Sequence, residues 1–415
     1  MRDLSKYAVN ILKRISFPRL AGSEGEERAR ELISSELRDF GLPVSEQSFS
    51  LWTFNPGRGS VLINGKNFAA VPYGNSKPFE TEGILHYVED PDFCGDEIKD
   101  KIAIIYQGVR GRQYEKLLDK GVKGLISISP PERGFSFTSI SQRFVEEGKV
   151  IPALVVDYET GLYLKNNVGR IVKIAGETSH FKGSAVNVIA EIKGKTRPEE
   201  IIVVCGHYDS VAISPGATDN AGGSAIMLAL ARHFSKKSLS RTLRFVWFSG
   251  EELGLLGSQA YVENIKEEIA KIRLVLNLDV AGDPIGENKA ICISEKDLLY
   301  YMQILSKETG VPLKSEINIY SSDSMPFAIY GVPSVNLFRT GGKGTFYIHT
   351  RFDRKNHVNK DGLKPLIDLS ISLIERLQNS RVFPFERKIS PELKEKIIDY
   401  FERMQGKKIE LKWEK

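Results

Sequence analysis

The chain has 415 residues, and its 58 basic and 53 acidic side chains give a formal net charge of +5. With 41% hydrophobic and 27% charged residues, it has the composition of an ordinary soluble globular protein, which excludes a disordered chain. No dense basic stripe typical of nucleic-acid binding occurs, and no apolar run approaches the ~18 residues of a membrane span.

Two amphipathic helices are predicted at the start of the chain. Apolar residues recur at helical spacing from Leu4 to Ile15. Ser23, with Glu26 three residues later, predicts the N-terminus of a second helix, and Gly41 is expected to cap its end. We interpret both helices as scaffold for the rest of the chain.

Residues 50–179 follow a different pattern, with short β-type runs broken by glycine and proline. The clearest predicted elements are three strands and one short helix, over residues 102–106, 122–127, 151–156 and 114–120. Because this stretch contains no cluster of histidines and carboxylates, we interpret it as an inserted β-rich domain. The main domain is then predicted over residues 1–49 and 180–415.

From residue 180 onward, strands and helices alternate. The predicted strands are 201–205, 243–248, 274–278 and 334–338, and the predicted helices are 221–234, 255–267, 362–379 and 391–405. Continuous apolar strands separated by helices predict a mostly parallel sheet covered on both faces. The predicted fold class is therefore α/β, a mostly parallel mixed sheet flanked by helices, with a smaller β-rich insertion.

Histidines and acidic residues follow several of these strands. They are His207, Asp219, Glu251, Glu252, Asp279 and His349. Because ligands in open α/β sheets bind at the carboxyl ends of the strands, we expect these side chains to meet there. Carboxylates brought so close together raise each other's pKa unless a cation lies among them.

The residue types favour a metal site. Imidazole and carboxylate ligands without a thiolate are typical of zinc or a similar first-row ion. Two histidines and three carboxylates exceed one tetrahedral site and fit two ions that share a carboxylate. The sequence thus predicts two Zn²⁺ ions, with Co²⁺ or Mn²⁺ as substitutes, that lower the pKa of a bridging water.

Two further roles follow from residue spacing. Side chains of adjacent residues in an extended chain point to opposite sides, so one of Glu251 and Glu252 can bind metal while the other faces the water as general base. Asp209 lies two residues after His207 on the same side of the strand, where it can orient that imidazole. Asp353, four residues beyond His349, is expected to orient the ring of that histidine.

Five blocks of sequence, in this order, resemble the co-catalytic dizinc aminopeptidase family, which includes bacterial leucyl aminopeptidases and glutamate carboxypeptidases. The blocks are His207-Tyr208-Asp209, Gly216-Ala217-Thr218-Asp219-Asn220-Ala221-Gly222, Glu251-Glu252, Asn277-Leu278-Asp279 and His349-Thr350-Arg351-Phe352-Asp353. The resemblance covers roughly residues 186–379 and the two opening helices. Five matching blocks are far more specific than any single one.

The resemblance implies a ligand set in which Asp219 bridges the two metal ions. In the family pattern His207 and Asp279 complete the first site. Glu252 and His349 complete the second. The peptide bond after Asp219 lies where the family has a cis bond that does not involve proline.

The same resemblance implies that Glu251 is the general base. Tyr347 and Tyr320 are alternative candidates for stabilising an oxyanion. Asp323 occupies the place of the family's Ser-Asp-His turn and is expected to line the pocket.

The activity implied by the resemblance is hydrolysis of N-terminal residues from peptides. A glutamate carboxypeptidase would instead recognise a free C-terminal carboxylate, for which Arg339 and Lys343 are candidates. A one-zinc glutaminyl cyclase and a metal-free receptor-like module are further alternatives, and the full ligand set argues against both. Residues 101–128 and 151–154 resemble a protease-associated domain.

The cysteines and the N-terminal residues indicate where in the cell the protein is expected. Cys94, Cys205 and Cys292 are far apart and lack CxxC spacing, and the N-terminal apolar residues do not form a signal peptide. We therefore expect a cytoplasmic protein. Peptide substrates are the expected partners, without nucleic acid or membrane, and a homo-oligomer is compatible with the sequence.

Overall fold

The computed structural model describes residues 3–406 and 408–413, so that residues 1, 2, 407, 414 and 415 of the predicted main domain lie outside the described residues. The strands are β1 (Val44–Ile63), β2 (Lys66–Pro72), β3 (Phe79–Val88), β4 (Ile102–Tyr106), β5 (Gly124–Ile128), β6 (Ala153–Val156), β7 (Ile171–Ile192), β8 (Arg197–His207), β9 (Arg241–Phe248), β10 (Ile272–Leu278), β11 (Glu287–Ile293), β12 (Lys314–Ile317) and β13 (Ser334–Thr340). The α-helices are α1 (Leu4–Ile15), α2 (Glu24–Asp39), α3 (Gly111–Asp119), α4 (Gln142–Glu146), α5 (Tyr158–Lys165), α6 (Gly222–Phe234), α7 (Leu256–Asn264), α8 (Lys296–Thr309), α9 (Met325–Ala328), α10 (Lys343–Phe346), α11 (Lys360–Asn379) and α12 (Lys394–Gln405). None of these helices is both long and apolar enough to cross a membrane.

The second helix begins at the predicted cap and is tied to the sheet. The Ser23 hydroxyl accepts a hydrogen bond from the amide of Glu26, and Gly41 follows the helix end with φ +77°. The Glu26 carboxylate does not return to Ser23, as a capping box would. It accepts hydrogen bonds from the Val186 amide at 3.1 Å and the Tyr208 hydroxyl at 2.6 Å.

The main sheet has the predicted mixed α/β arrangement. Its strand order is β7-β9-β8-β10-β13-β11-β12. The four central strands β9, β8, β10 and β13 run parallel, while β7 is antiparallel to β9 and β11 is antiparallel to β13. Alternate residues of β8 enter cores on opposite faces: Ile202 packs with α6, and Ile201 packs with α7. This explains the continuous apolar strand.

The β-rich stretch is built on the two longest strands. β1 pairs antiparallel with β7 along almost its full length, and their distal halves close a ring of pairings through β2, β6, β5, β4 and β3. The boundaries predicted at residues 50 and 179 both lie inside these strands. The division of the chain into two domains therefore stays a prediction.

Candidate metal centre

The parallel strands bring the predicted ligands to one edge of the sheet. His207 ends β8, Asp279 directly follows β10, and Glu252 lies four residues after β9. Asp219 precedes α6, and His349 lies in the loop after α10. Because β9, β8 and β10 are adjacent and parallel, their carboxyl ends converge.

These five side chains form two groups that share Asp219. The Nε2 atom of His207 lies 3.2 Å from Oδ1 of Asp219 and 3.3 Å from Oδ1 of Asp279. The Nε2 atom of His349 lies 3.1 Å from Oδ2 of Asp219 and 3.3 Å from Oε2 of Glu252. Each oxygen of the Asp219 carboxylate thus faces a different group.

The spacing and chemistry of both groups fit metal ions. Metal–ligand bonds of ~2.0–2.1 Å in a tetrahedral site place ligand atoms about 3.3–3.4 Å apart, close to the observed separations. Oδ1 of Asp279 is buried and accepts no hydrogen bond within the described part of the chain. A buried carboxylate oxygen without such a partner is costly unless a cation lies beside it.

The electrostatics of the two ligand groups also favour bound metal ions. Burial raises the pKa of Glu252 to about 7, with His349 opposing the shift and Asp219 adding to it. Burial alone would lower the pKa of His207, but Asp279 and Glu251 raise it well above its usual value. The carboxylates therefore compete for positive charge, which bound cations would supply.

Glu251 is placed differently from its neighbour. It lines the cleft and belongs to neither ligand group, whereas Glu252 faces His349. Burial raises the pKa of Glu251 well above its usual value, His207 opposes this shift, and Glu252 adds to it. A carboxyl group with a raised pKa is suited to accepting a proton.

Asp209 contacts residues at the ends of both β8 and β9. Its Oδ1 atom lies 3.4 Å from Nδ1 of His207, on the side of the ring opposite the ligand nitrogen. Its carboxylate also accepts hydrogen bonds from the backbone amides of Glu251 and Glu252, at 3.3 and 3.4 Å. Asp209 thus links the orientation of His207 to the position of the two glutamates.

The sequence predicts that Asp353 orients the imidazole of His349, but Asp353 contacts other residues. Its carboxylate accepts hydrogen bonds from the amides of Thr218 at 2.8 Å and Asp219 at 3.0 Å. The chain turns sharply at His349, which has φ +59°, so the four-residue spacing does not bring the two side chains together. Asp353 instead holds the backbone of Asp219, the residue common to both groups.

The loop of Asp219 also packs tightly on the sheet. A Cβ atom at Gly223 would lie 2.3 Å from the carbonyl oxygen of Leu278, so only glycine permits this approach. The Asn220 side chain donates to the same carbonyl at 2.9 Å. The Asp219–Asn220 peptide is cis, as the family resemblance implied.

The three candidate pocket residues occupy different places. Tyr320 lines the cleft and stacks on Phe338 with ring centroids 4.7 Å apart. Tyr347 is not among the cleft-lining residues and packs against Phe352. Asp323 is fully buried behind the cleft, so the expectation that it lines the pocket is wrong. Burial raises its pKa to about 7.

Arg339 and Lys343 do not supply cations to the cleft. Arg339 is buried and donates hydrogen bonds to the Asp283 carbonyl at 2.6 Å and the Asn288 side chain at 2.8 Å. Neither Arg339 nor Lys343 lines the cavity beside the ligands. Arg339, in β13, therefore holds the loop that leads into β11.

Arg19 is a residue near the centre that the sequence did not single out. It is fully buried, and its guanidinium donates to the carbonyl oxygens of Tyr208, Pro215 at 2.6 Å and Gly216 at 2.8 Å. These carbonyls lie beside His207 and in the loop before Asp219. Burial lowers the pKa of Arg19 to about 10.

We predict that Arg19→Lys weakens metal binding. Lysine keeps the positive charge, but its single ammonium group cannot donate hydrogen bonds to three separate carbonyl oxygens as the planar guanidinium does. Substitution of residues that orient ligands typically costs about 10–100-fold in metal affinity. Competition with a chelator measures this affinity directly. Arg28→Lys, on the exposed face of α2, is the matched control; equal affinities of Arg19→Lys and the wild type would contradict the role.

The cleft beside the ligands has a volume of about 930 Å³. Besides the ligands and Glu251, it is lined by residues of the β-rich stretch, including Arg110 and Glu146, and of the C-terminal helix, including Tyr400 and Met404. Three parts of the chain therefore contribute to one cavity.

Comparison with known proteins finds a peptidase family and several aminopeptidases that are similar to this chain. The profile of peptidase family M28 matches residues 187–374. Aminopeptidase YwaD of Bacillus subtilis is 28% identical over 422 residues, which span 96% of this chain and 90% of that protein.

Two solved structures show the same fold. A zinc aminopeptidase from Bacillus subtilis, BSAP, aligns with TM-score 0.74 and 24% identity over 93% of this chain and 98% of its own. A peptidase M28 precursor from Shewanella amazonensis aligns with TM-score 0.77 and 23% identity over 94% and 97%. Residues 187–374, a little under half of the chain, thus match peptidase family M28, and the chain is a hydrolase of peptide bonds.

Proposed function

We propose that the protein is a metallo-aminopeptidase that removes N-terminal residues from peptides. The observation that carries this proposal is the pair of ligand groups sharing Asp219, with Glu251 beside them in the same cleft. The name aminopeptidase borne by the Bacillus subtilis relative supports it.

The proposed cofactors are two zinc ions, with Co²⁺ or Mn²⁺ as substitutes. His207 and Asp279 would hold one ion, Glu252 and His349 the other, and Asp219 both. Such ions polarise a substrate carbonyl and lower the pKa of a water molecule. The zinc aminopeptidase of similar fold supports the choice of metal.

In the proposed mechanism, Glu251 takes a proton from the attacking water and returns it to the leaving amine. Asp209 fixes the ring of His207 and the backbone of both glutamates, so that base and ligands keep their relative positions. The Tyr320 hydroxyl is the proposed donor to the developing oxyanion, because Tyr320 lines the cleft.

We further propose that residues 50–179 act as an inserted domain of the protease-associated type. Cleft-lining residues such as Arg110 and Glu146 give this domain a part in shaping the substrate site. A cytoplasmic location is also proposed, with support from Cys94, Cys205 and Cys292, all of which are free thiols.

A carboxypeptidase is the second candidate, and one observation favours it. Arg110 lines the cleft, donates through Nε to Thr138 at 2.8 Å, and forms no ion pair within the described residues. A guanidinium in that place can bind a free carboxylate. Peptides blocked at the N-terminus or at the C-terminus distinguish the two activities, because each enzyme requires a different free end.

The test of function is hydrolysis of one peptide series with free, N-acetylated or C-amidated ends. For an aminopeptidase, we expect acetylation to abolish cleavage, because the free amine is part of the recognised end. We also expect chelation to abolish it and zinc or cobalt to restore it. Cleavage that survives acetylation but is lost on amidation would establish the carboxypeptidase instead.

A further inference from the structure

The C-terminal helix α12 borders the candidate active site. Tyr400, Met404, Gln405 and Gly406 line the same cavity as the metal ligands and Glu251. This helix lies outside the residues that match the family profile. The sequence of α12 predicts only an amphipathic helix, whereas its position in the structure makes it part of the cavity wall.

On one side α12 is fixed to the main domain. The Tyr400 hydroxyl lies 2.9 Å from the Ser321 hydroxyl, and the Gln405 side chain donates to the Gly254 carbonyl at 3.0 Å. Gly254 comes two residues after Glu252. The helix also buries apolar residues in a core shared with α9 and the loop before α7, among them Ile397 and Phe401.

On the other side α12 is fixed to the β-rich stretch. The Arg143 guanidinium donates to the Gly406 carbonyl and also pairs with Glu115. Gly111, at φ +49°, approaches α12 so closely that a Cβ atom there would lie 2.0 Å from the Arg403 carbonyl oxygen. The helix therefore bridges the cleft between its two walls.

The residues after α12 add a further anchor. The Lys412 amide donates to the Ile329 carbonyl at 2.7 Å, and the Trp413 indole donates to the Ala328 carbonyl at 2.9 Å. Contacts at both ends of the segment oppose its displacement by a substrate. The cleft is thus bounded by a fixed wall.

We propose that α12 forms this wall so that the cleft accepts short peptides and excludes long or folded chains, with Met404 in contact with the bound peptide. The inference rests on the proposed aminopeptidase activity. An extended peptide advances ~3.3–3.6 Å per residue, so each added residue brings the chain closer to a wall. The volume of about 930 Å³ lies within the ~300–1,000 Å³ typical of small-ligand sites.

The test compares a leucyl arylamide, a tripeptide and a peptide of about ten residues with the same N-terminal sequence. For the wild type, we expect kcat/KM to be about tenfold or more lower for the long peptide than for the tripeptide, mainly through KM. The double variant Arg143→Ala/Gln405→Ala removes one anchor on each side of the cleft. We expect it to bring the ratio of the two values closer to one.

Two further variants distinguish a change in the shape of the cleft from a general effect on folding. Met404→Trp adds bulk to the cleft and cuts no anchor, so we expect it to raise KM for the tripeptide more than for the arylamide. Asp399→Ala is the matched control, because its weak pair with Arg403 at 3.8 Å is exposed on α12. Thermal unfolding verifies that each variant is folded.

Equal kcat/KM for the tripeptide and the long peptide in the wild type would overturn the inference, as would an unchanged ratio in the folded double variant. In either case, turnover of the arylamide would leave the proposed aminopeptidase function standing. No turnover of the arylamide by the zinc-loaded wild type would instead overturn the proposed function, and the inference with it.

Discussion

Glu251→Gln is expected to lower kcat on the order of 10²–10⁴-fold, the usual contribution of a general base, while metal content stays at the wild-type level. The substitution removes the only cleft glutamate at this strand end that belongs to neither ligand group of the described residues. It changes one oxygen to an amide nitrogen and keeps the side-chain shape. Steady-state kinetics and metal analysis on the same preparation measure both effects.

The matched control is Glu146→Gln, which removes a carboxylate from the opposite wall of the same cleft. We expect a change in kcat of less than about tenfold, because Glu146 ends helix α4 in the β-rich stretch and belongs to neither ligand group. Wild-type kcat in Glu251→Gln would refute the role of base. Loss of metal from that variant would make Glu251 a ligand instead.

Asp219→Asn is expected to reduce metal binding at both sites together. Its two oxygens face different histidines, His207 at 3.2 Å and His349 at 3.1 Å. Asparagine offers one neutral oxygen in place of two that share a negative charge, so each group loses an anionic ligand. Metal titration followed by elemental analysis measures the two affinities.

Asp279→Asn serves as the control for this prediction, since Asp279 belongs to only one of the two groups. It is expected to weaken one site and leave the other near its wild-type affinity. If Asp219→Asn also weakened only one site, Asp219 would not be the shared ligand.

The sequence predicted the parts of the fold whose pattern is local. The apolar run that became β8 and the cap at Ser23 were both visible in the sequence, because burial on both faces and helix capping each leave a short signal. The ligands were found because parallel strands end at one edge of the sheet. That rule needs only strand positions and polar residues.

Features set by distant contacts were missed. β1 and β7 have 20 and 22 residues, yet their mixed burial hides them from a search for apolar runs. β11 and α8 were not predicted either. Arg19 lies 189 positions from the carbonyl of Tyr208 that it holds. Asp353 was assigned the wrong neighbour because its contact depends on a turn at His349.

Anomalous diffraction at the zinc edge from zinc-loaded crystals tests the claim that two metal ions share Asp219. We predict two peaks ~3.5–4 Å apart, one beside His207 and Asp279 and the other beside Glu252 and His349, with Asp219 between them. A single peak at saturating zinc, or two peaks that do not share Asp219, would contradict the claim.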